Sequence, residues 1–101
     1  MIAEFSTFPV GKGVHLSKYV APIIKMIENS GLDYKMTPMG TIVEGDADRV
    51  FDLIRACHKK LARDSKRVIT SIRIDDFKDR SQRITKKIES VEKRLGHKVK
   101  Q

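Results

Sequence analysis

What this chain has little of narrows its class first. It holds no tryptophan, four phenylalanines, two tyrosines and one cysteine in 101 residues. A lone cysteine excludes an internal disulfide and fits poorly with a small secreted scaffold, which relies on several. Cys57 falls on the apolar stripe of a predicted helix, so a buried, inert thiol outweighs a nucleophile. No apolar run approaches the roughly 20 residues of a membrane span, and no basic segment precedes an apolar one at the start. The expectation is a soluble, cytoplasmic protein with no membrane contact. Catalytic signatures are missing too: there is no G-x-S-x-G, no Walker-type loop, no C-x-x-C and no H-E-x-x-H. His15, His58 and His97 have no nucleophile or metal-ligand partner at a meaningful spacing, which points away from an enzyme and from a metal site. The one enzymatic reading left open is an active site assembled only between subunits.

Charge is plentiful but unevenly placed. The formal net charge is +8, yet residues 1–50 carry five Lys/Arg against six Asp/Glu while residues 51–101 carry sixteen against seven. A basic C-terminal half suits an anionic partner, so a nucleic-acid-binding module built on that half is the alternative function. Against it, Phe5, Phe8, Tyr19, Tyr34, Phe51 and Phe77 form no basic-aromatic run of the kind that stacks single-stranded bases. A solvated helical face with a basic tail explains the same excess. At 101 residues the chain reads as one domain, near the size at which oligomerisation often completes a core.

Residues 2–9 read as a first strand ended by Pro9, and Gly11 and Gly13 loosen the loop that follows. A first helix is predicted with Ser17 as N-cap, with Val20, Ile23, Ile24 and Ile27 at the spacing of a buried face, and with Gly31 as a left-handed stop. Pro22 lies near its start, where a missing N–H costs least. Short strands over 34–39 and 40–44 come next. Gly45-Asp46 then stops the strand and caps a second helix, whose apolar stripe is Ala47, Val50, Phe51, Ile54, Cys57, His58 and Leu61. His58 reads as a satisfied boundary histidine rather than a ligand. A strand over 67–74 completes a β-α-β-β-α-β order. A third helix is predicted over about 80–95, where Ile84, Ile88, Val91 and Leu95 make a narrow apolar seam, and 96–101 should fray. The fold class is therefore α+β: a ferredoxin-like βαββαβ sandwich with an additional C-terminal helix.

Alternation sorts the last strand into Val68, Thr70, Ile72 and Ile74 facing the helices, and Ile69, Ser71, Arg73 and Asp75 facing away. In the first strand Ala3, Phe5 and Thr7 separate likewise from Glu4, Ser6 and Phe8. The second face is left open and mixes apolar residues with Glu4, Ser6, Ser71 and Arg73, a surface suited to pairing with another sheet. A homodimer or homotetramer formed through sheet faces and the C-terminal helix is expected.

Two stretches place polar groups on otherwise apolar strands: Pro38-Met39-Gly40-Thr41-Ile42-Val43-Glu44-Gly45, and residues 66–76 with Thr70, Ser71, Arg73 and the closing Asp75-Asp76. Such groups are costly unless something satisfies them, so a small polar ligand or a second subunit is sought there. Gly11-Lys12-Gly13 before a helix could offer N–H groups to an anion, but a lone G-x-G is a weak signal. Asp75-Asp76 with Asp79 is similar to a divalent-ion cluster; followed by Lys78 and Arg80, it reads better as a salt-bridged helix start.

Pro9-x-Gly11, Ser17-x-Tyr19-Val20-Ala21, Met39-Gly40-Thr41 with Glu44-Gly45, Arg67-Val68, and Ile74-Asp75-Asp76 with Asp79 run in order across nearly the whole chain. On these residues the chain resembles the small YkoF-like, thiamine-binding family. The resemblance implies the ferredoxin-like fold and non-catalytic binding of thiamine or its hydroxymethylpyrimidine part. It also implies assembly as dimers and tetramers, and no required cofactor. After Gly11 the family usually has Thr and a Ser-rich loop, where this chain has Lys12, Val14 and His15.

An aminopyrimidine wants a carboxylate or carbonyl acceptor beside a hydroxyl donor. Joined to the Met-Gly-Thr-x-x-Glu resemblance, that need gives Ser17, Met39, Gly40, Thr41 and Glu44 as the expected ligand residues. Met39 offers a polarisable contact and Gly40 a close backbone approach. Alternation sets Thr41 and Glu44 on opposite faces unless a bulge intervenes.

Overall fold

Strand and helix periods sort the chain into seven elements: β1 (Ile2–Pro9), α1 (Ser17–Asn29), β2 (Asp33–Thr37), β3 (Gly40–Glu44), α2 (Ala47–Ala62), β4 (Val68–Asp75) and α3 (Arg83–Leu95). They are seen in a computed structural model that describes residues 1–78 and 81–101. The four strands form one antiparallel sheet in the order β2-β3-β1-β4. This is the ferredoxin-like α+β arrangement expected, with a C-terminal helix. The third helix begins at Arg83 rather than 80, and Asp79 and Arg80, with their part in the acidic cluster, lie outside the described residues.

Strand β2 ends at Thr37, two residues earlier than predicted. Pro38 has no N–H for the ladder, and Thr37 closes the turn locally. Its hydroxyl donates to the Gly40 carbonyl at 2.7 Å and accepts the Met39 N–H at 3.2 Å. Ser17 opens α1 but does not cap it: Leu16 occupies the N-cap position and no side chain caps the helix. Asp46 holds the N-cap position of α2, again without a side-chain bond.

The core lies between α1, α2 and one sheet face. It comprises Ala3 and Phe5 of β1, Val43 of β3, Ile23 and Ile27 of α1, and Val50, Leu53, Ile54, Cys57 and Leu61 of α2, with Leu32. Phe51, assigned to the α2 stripe from sequence, is 44% exposed. It stands about 100° around the helix from Val50, at the stripe's margin, and Leu53 on the other side is buried instead. On edge strand β4, Val68 packs against the core and Thr70 bonds the Nδ1 of His58, but Ile72 (47%) and Ile74 (40%) are exposed. Both isoleucines keep the expected parity. They are uncovered because α2 packs chiefly over β1 and only marginally over β4.

The second face is not left open along its length, because α3 docks there. Glu44 is buried on the side opposite Val43, and its carboxylate accepts the N–H of Arg83 at 2.8 Å and of Ile84 at 3.1 Å. A carboxylate at a helix start satisfies N–H groups that have no intrahelical acceptor and complements the helix dipole. Lys87 adds an ion pair to Asp75. Only half of the predicted seam is used: Ile84 and Ile88 are half-buried while Val91 and Leu95 are exposed. The tail does not simply fray, since the Val99 N–H donates to Glu92 Oε2 at 2.8 Å and Lys35 donates to the Gln101 side chain.

Candidate functional site

Unequal strand lengths make the site. β1 pairs with β4 from Ile2↔Asp75 to Pro9↔Val68, but with β3 only as far as Phe5↔Thr41. Beyond that pair the chain turns back through Met39 and Pro38 to β2. Where β3 is missing, a cleft of about 550 Å³ opens between the end of β1, the first half of α1 and the β2–β3 turn. That volume lies within the range of small-ligand sites. Its walls are apolar, from Phe5, Phe8, Val20, Ile24 and Met36, and Ser17, Met39, Gly40 and Thr41 all line it.

Each of these four enters differently. Thr41 is only 6% exposed, and its hydroxyl has no hydrogen-bond partner among the described residues. Gly40 is needed sterically: a Cβ there would lie 3.0 Å from the Phe5 carbonyl oxygen. Met39 stands at the turn tip, 85% exposed, and also borders a smaller depression of about 270 Å³ lined by Glu4, Ser6, Ser71 and Arg73. Ser17 sits at the uncapped start of α1, whose first turn carries no acidic residue. The positive end of that helix therefore borders the cleft.

Glu44 is elsewhere. β3 runs in unbroken register with both neighbours, so no bulge intervenes and alternation puts Glu44 on the face away from Thr41. Its two oxygens are taken by the start of α3. The structure thus brings together four of the five residues expected at the ligand and places the fifth in a helix anchor.

The main chain of Thr7 escaped the sequence reading. Met1 and Gly45 exchange two backbone bonds of 3.0 Å, whereas the Val10 N–H donates to the Arg67 carbonyl at 2.8 Å. Backbone groups alternate sides along an antiparallel strand, so odd-numbered residues of β1 address β3 and even-numbered ones address β4. Thr7 is the next odd residue after β3 has ended. Its N–H and C=O are turned to the side where β3 has ended, with no backbone partner there among the described residues, and Thr7 lines the cleft. The signal was present in the sequence as an eight-residue strand beside a five-residue one. Its side chain is fixed instead, in a chain of two 2.7 Å bonds from Thr7 Oγ1 to Thr70 Oγ1 to His58 Nδ1.

Comparison with known proteins gives this cleft a context. The family described as thiamine-binding protein matches residues 3–92. The chain belongs to that family. Among its relatives is a UPF0045 protein of Staphylococcus xylosus, 39% identical over 101 residues and covering 94% of each chain. Another, from Methanocaldococcus jannaschii, is 34% identical over 91 residues, or 90% of this chain and 91% of that one. The crystal structure of the M. jannaschii protein superposes with a TM-score of 0.83 over 89% of this chain and 93% of that one. A Thermotoga maritima structure, provisionally named for thiamine biosynthesis or salvage, superposes with a TM-score of 0.77 at 21% identity, over 89% and 96% of the two chains. At that identity the likeness is one of fold.

In this thiamine-binding family member Cys57, Asp75 and Asp76 are occupied or quiet. Cys57 is fully buried, and burial pushes its thiol up to about 11, so it stays protonated. The Lys87 ammonium, hydrogen-bonded to Asp75, holds that carboxyl below its usual range. Asp76 lies 3.9 Å from the Met1 nitrogen. Among the described residues no group of three His, Cys, Asp or Glu side chains is placed to hold a metal ion, and no helix is long and apolar enough to cross a membrane.

Proposed function

We propose that the protein binds thiamine or its hydroxymethylpyrimidine part in the cleft at the end of β3, without chemical turnover. The observation that carries this reading is Thr41, a residue only 6% exposed whose hydroxyl has no partner among the described residues and reaches the wall of an apolar cleft. A ligand group that pairs this hydroxyl in place of water adds a net of about 0.5–1.5 kcal/mol. Ser17, Met39 and Gly40 complete the contacts, with Met39 over the flat ring and Gly40 allowing close approach. Membership of the thiamine-binding family and the name given to the Thermotoga neighbour support the ligand class. The side chains fit binding better than catalysis. His58 is engaged by Thr70 and His97 by the Lys98 carbonyl, and Cys57 is held protonated.

The protein works in the cytoplasm as a homodimer paired into a tetramer. The exposed Ile69, Ile72 and Ile74 of β4 and the unused Val91 and Leu95 of α3 are the apolar surfaces available for that assembly. A monomer in analytical ultracentrifugation at micromolar concentration would refute it.

Calorimetry with thiamine and with hydroxymethylpyrimidine, on the parent protein and on Thr41→Val, tests the binding role. The parent is expected to bind at least one compound, and Thr41→Val to bind it about 3–10-fold more weakly. Failure of both compounds to bind would overturn the reading. If RNA then bound with affinity falling steeply in salt, the basic C-terminal half would become the functional surface.

A further inference from the structure

We infer that the end of α2 and the loop after it bind the phosphate backbone of a nucleic-acid duplex, independently of the cleft. Between Leu53 and Ile74 seven Lys and Arg stand against a single acid, Asp64. The fold divides the basic C-terminal half between two surfaces. The cations of α3 go with that helix to the second sheet face, whereas Arg55, Lys59, Lys60, Arg63, Lys66 and Arg67 are exposed on α2 and in the loop to β4.

Leu53, Ile54, Cys57 and Leu61 turn one side of α2 into the core. At about 100° per residue, Arg55, Lys59 and Arg63 fall together on the opposite side, in a row about 12 Å long. Lys66 and Arg67 follow directly. The bond from the Val10 N–H to the Arg67 carbonyl brings the loop that carries the exposed Lys12 to the same end of the molecule. Arg55 pairs with Asp52 at 3.4 Å, but the side chains of Lys59, Arg63, Lys66 and Arg67 have no ion pair or hydrogen bond among the described residues. The negative end of α2 accounts for Lys59 and Lys60 in its last turn. That influence fades within a turn and does not account for Lys66 and Arg67.

The chemistry of the row selects its partner. Each duplex strand carries a charge about every 3.4 Å along the axis, so the row faces three or four phosphates. On the same side of the helix the cations are separated only by the small Ala56 and Ala62, and the exposed Phe51 lies a turn before Arg55. Protein partners are held by large apolar or aromatic anchors, and membranes by apolar insertion; the row offers neither. It has no aromatic side chain on which an unstacked base could lie, which favours a duplex over a single strand. Contacts made to phosphate alone carry no sequence information, so the binding is sequence-independent.

Fluorescence anisotropy of the intact protein with a labelled DNA duplex of about 20 base pairs, across about 50–200 mM salt, tests this. A Kd of about 1–100 µM is expected near physiological salt, with log K falling against log salt at a slope of about −3.5 to −4.5, as four or five phosphate contacts give. Lys59→Ala with Arg63→Ala should reduce the slope by about 2, whereas Lys93→Ala with Arg94→Ala on α3, an equal loss of charge, should leave it unchanged. All four side chains are exposed, so the urea midpoint and the affinity for hydroxymethylpyrimidine should stay as in the parent. No binding at the lowest salt, or equal effects of the two double variants, overturns the inference. So does binding of polyglutamate or of phosphatidylserine vesicles as tightly as the duplex, which would hand the row to an acidic protein or to a membrane surface.

Discussion

Thr41 and Glu44 lie three residues apart on β3, both nearly out of reach of solvent, and their polar atoms end in opposite states. On the face away from α1 and α2, both Glu44 oxygens accept N–H groups of α3. On the helix-covered face the Thr41 hydroxyl has no partner among the described residues and borders a cleft of about 550 Å³. A satisfied buried carboxylate holds elements together; an unpaired hydroxyl at the wall of a cavity is free to pair with a ligand. The comparison separates a face closed by the chain's own helix from a face with room for a ligand.

Glu44→Ala is expected to break that comparison most severely. Two helix N–H groups lose a charged acceptor, at a cost of about 2–3 kcal/mol in urea unfolding, with loss of helical signal from α3. Ligand affinity, measured under conditions where the variant is folded, should change less than about twofold, because a side chain on the far face pairs with no ligand group. A collapse of affinity at unchanged stability would return Glu44 to the ligand site.

Thr70→Val comes next. It removes the hydroxyl shared by Thr7 and His58 and should cost about 1–2 kcal/mol in the same unfolding measurement. It should also weaken ligand binding modestly by loosening the end of β1. Thr41→Val is the mirror image of Glu44→Ala: affinity falls about 3–10-fold while the urea midpoint stays put or rises, since no protein bond is lost.

The smallest effect is a pH dependence on the α3 face. Lys87 lowers the pKa of Asp75, so the folded protein binds that proton less readily than the unfolded chain. The resulting stability is present above the ordinary carboxylate value of about 3.9 and is lost as pH falls through the lowered one. Asp75→Asn should flatten the acid limb of stability against pH without touching the ligand. An unaltered limb would mean that the pair with Lys87 contributes nothing.

Local rules made much of this legible. Alternation put Ala3, Phe5 and Thr7 on the buried side, and the strand boundaries at residues 2–9 and 40–44 agree with the structure. The Met39-Gly40-Thr41 turn and Ser17 converge because the turn and the start of α1 lie at the same end of the sheet. What sequence left unread depends on long-range geometry. Glu44 becomes a helix anchor only because α3 returns to the second face, some 40 residues later in the chain. The exposure of Ile72 and Ile74 follows from where α2 lies over the sheet, which strand period does not encode. The Thr7 main chain carries no side-chain signature; its trace in the sequence is the unequal length of the strands at 2–9 and 40–44, and the register against β3 is needed to read it.

The most direct test of a ligand site on the helix-covered face is a ¹⁵N–¹H NMR titration with hydroxymethylpyrimidine. Shift changes are expected to concentrate at residues 5–8, 16–24 and 36–41, with the amides of Arg83 and Ile84, held by Glu44, left in place. Changes centred instead on Glu4, Ser71 and Arg73, around the smaller depression on the other face, would contradict it.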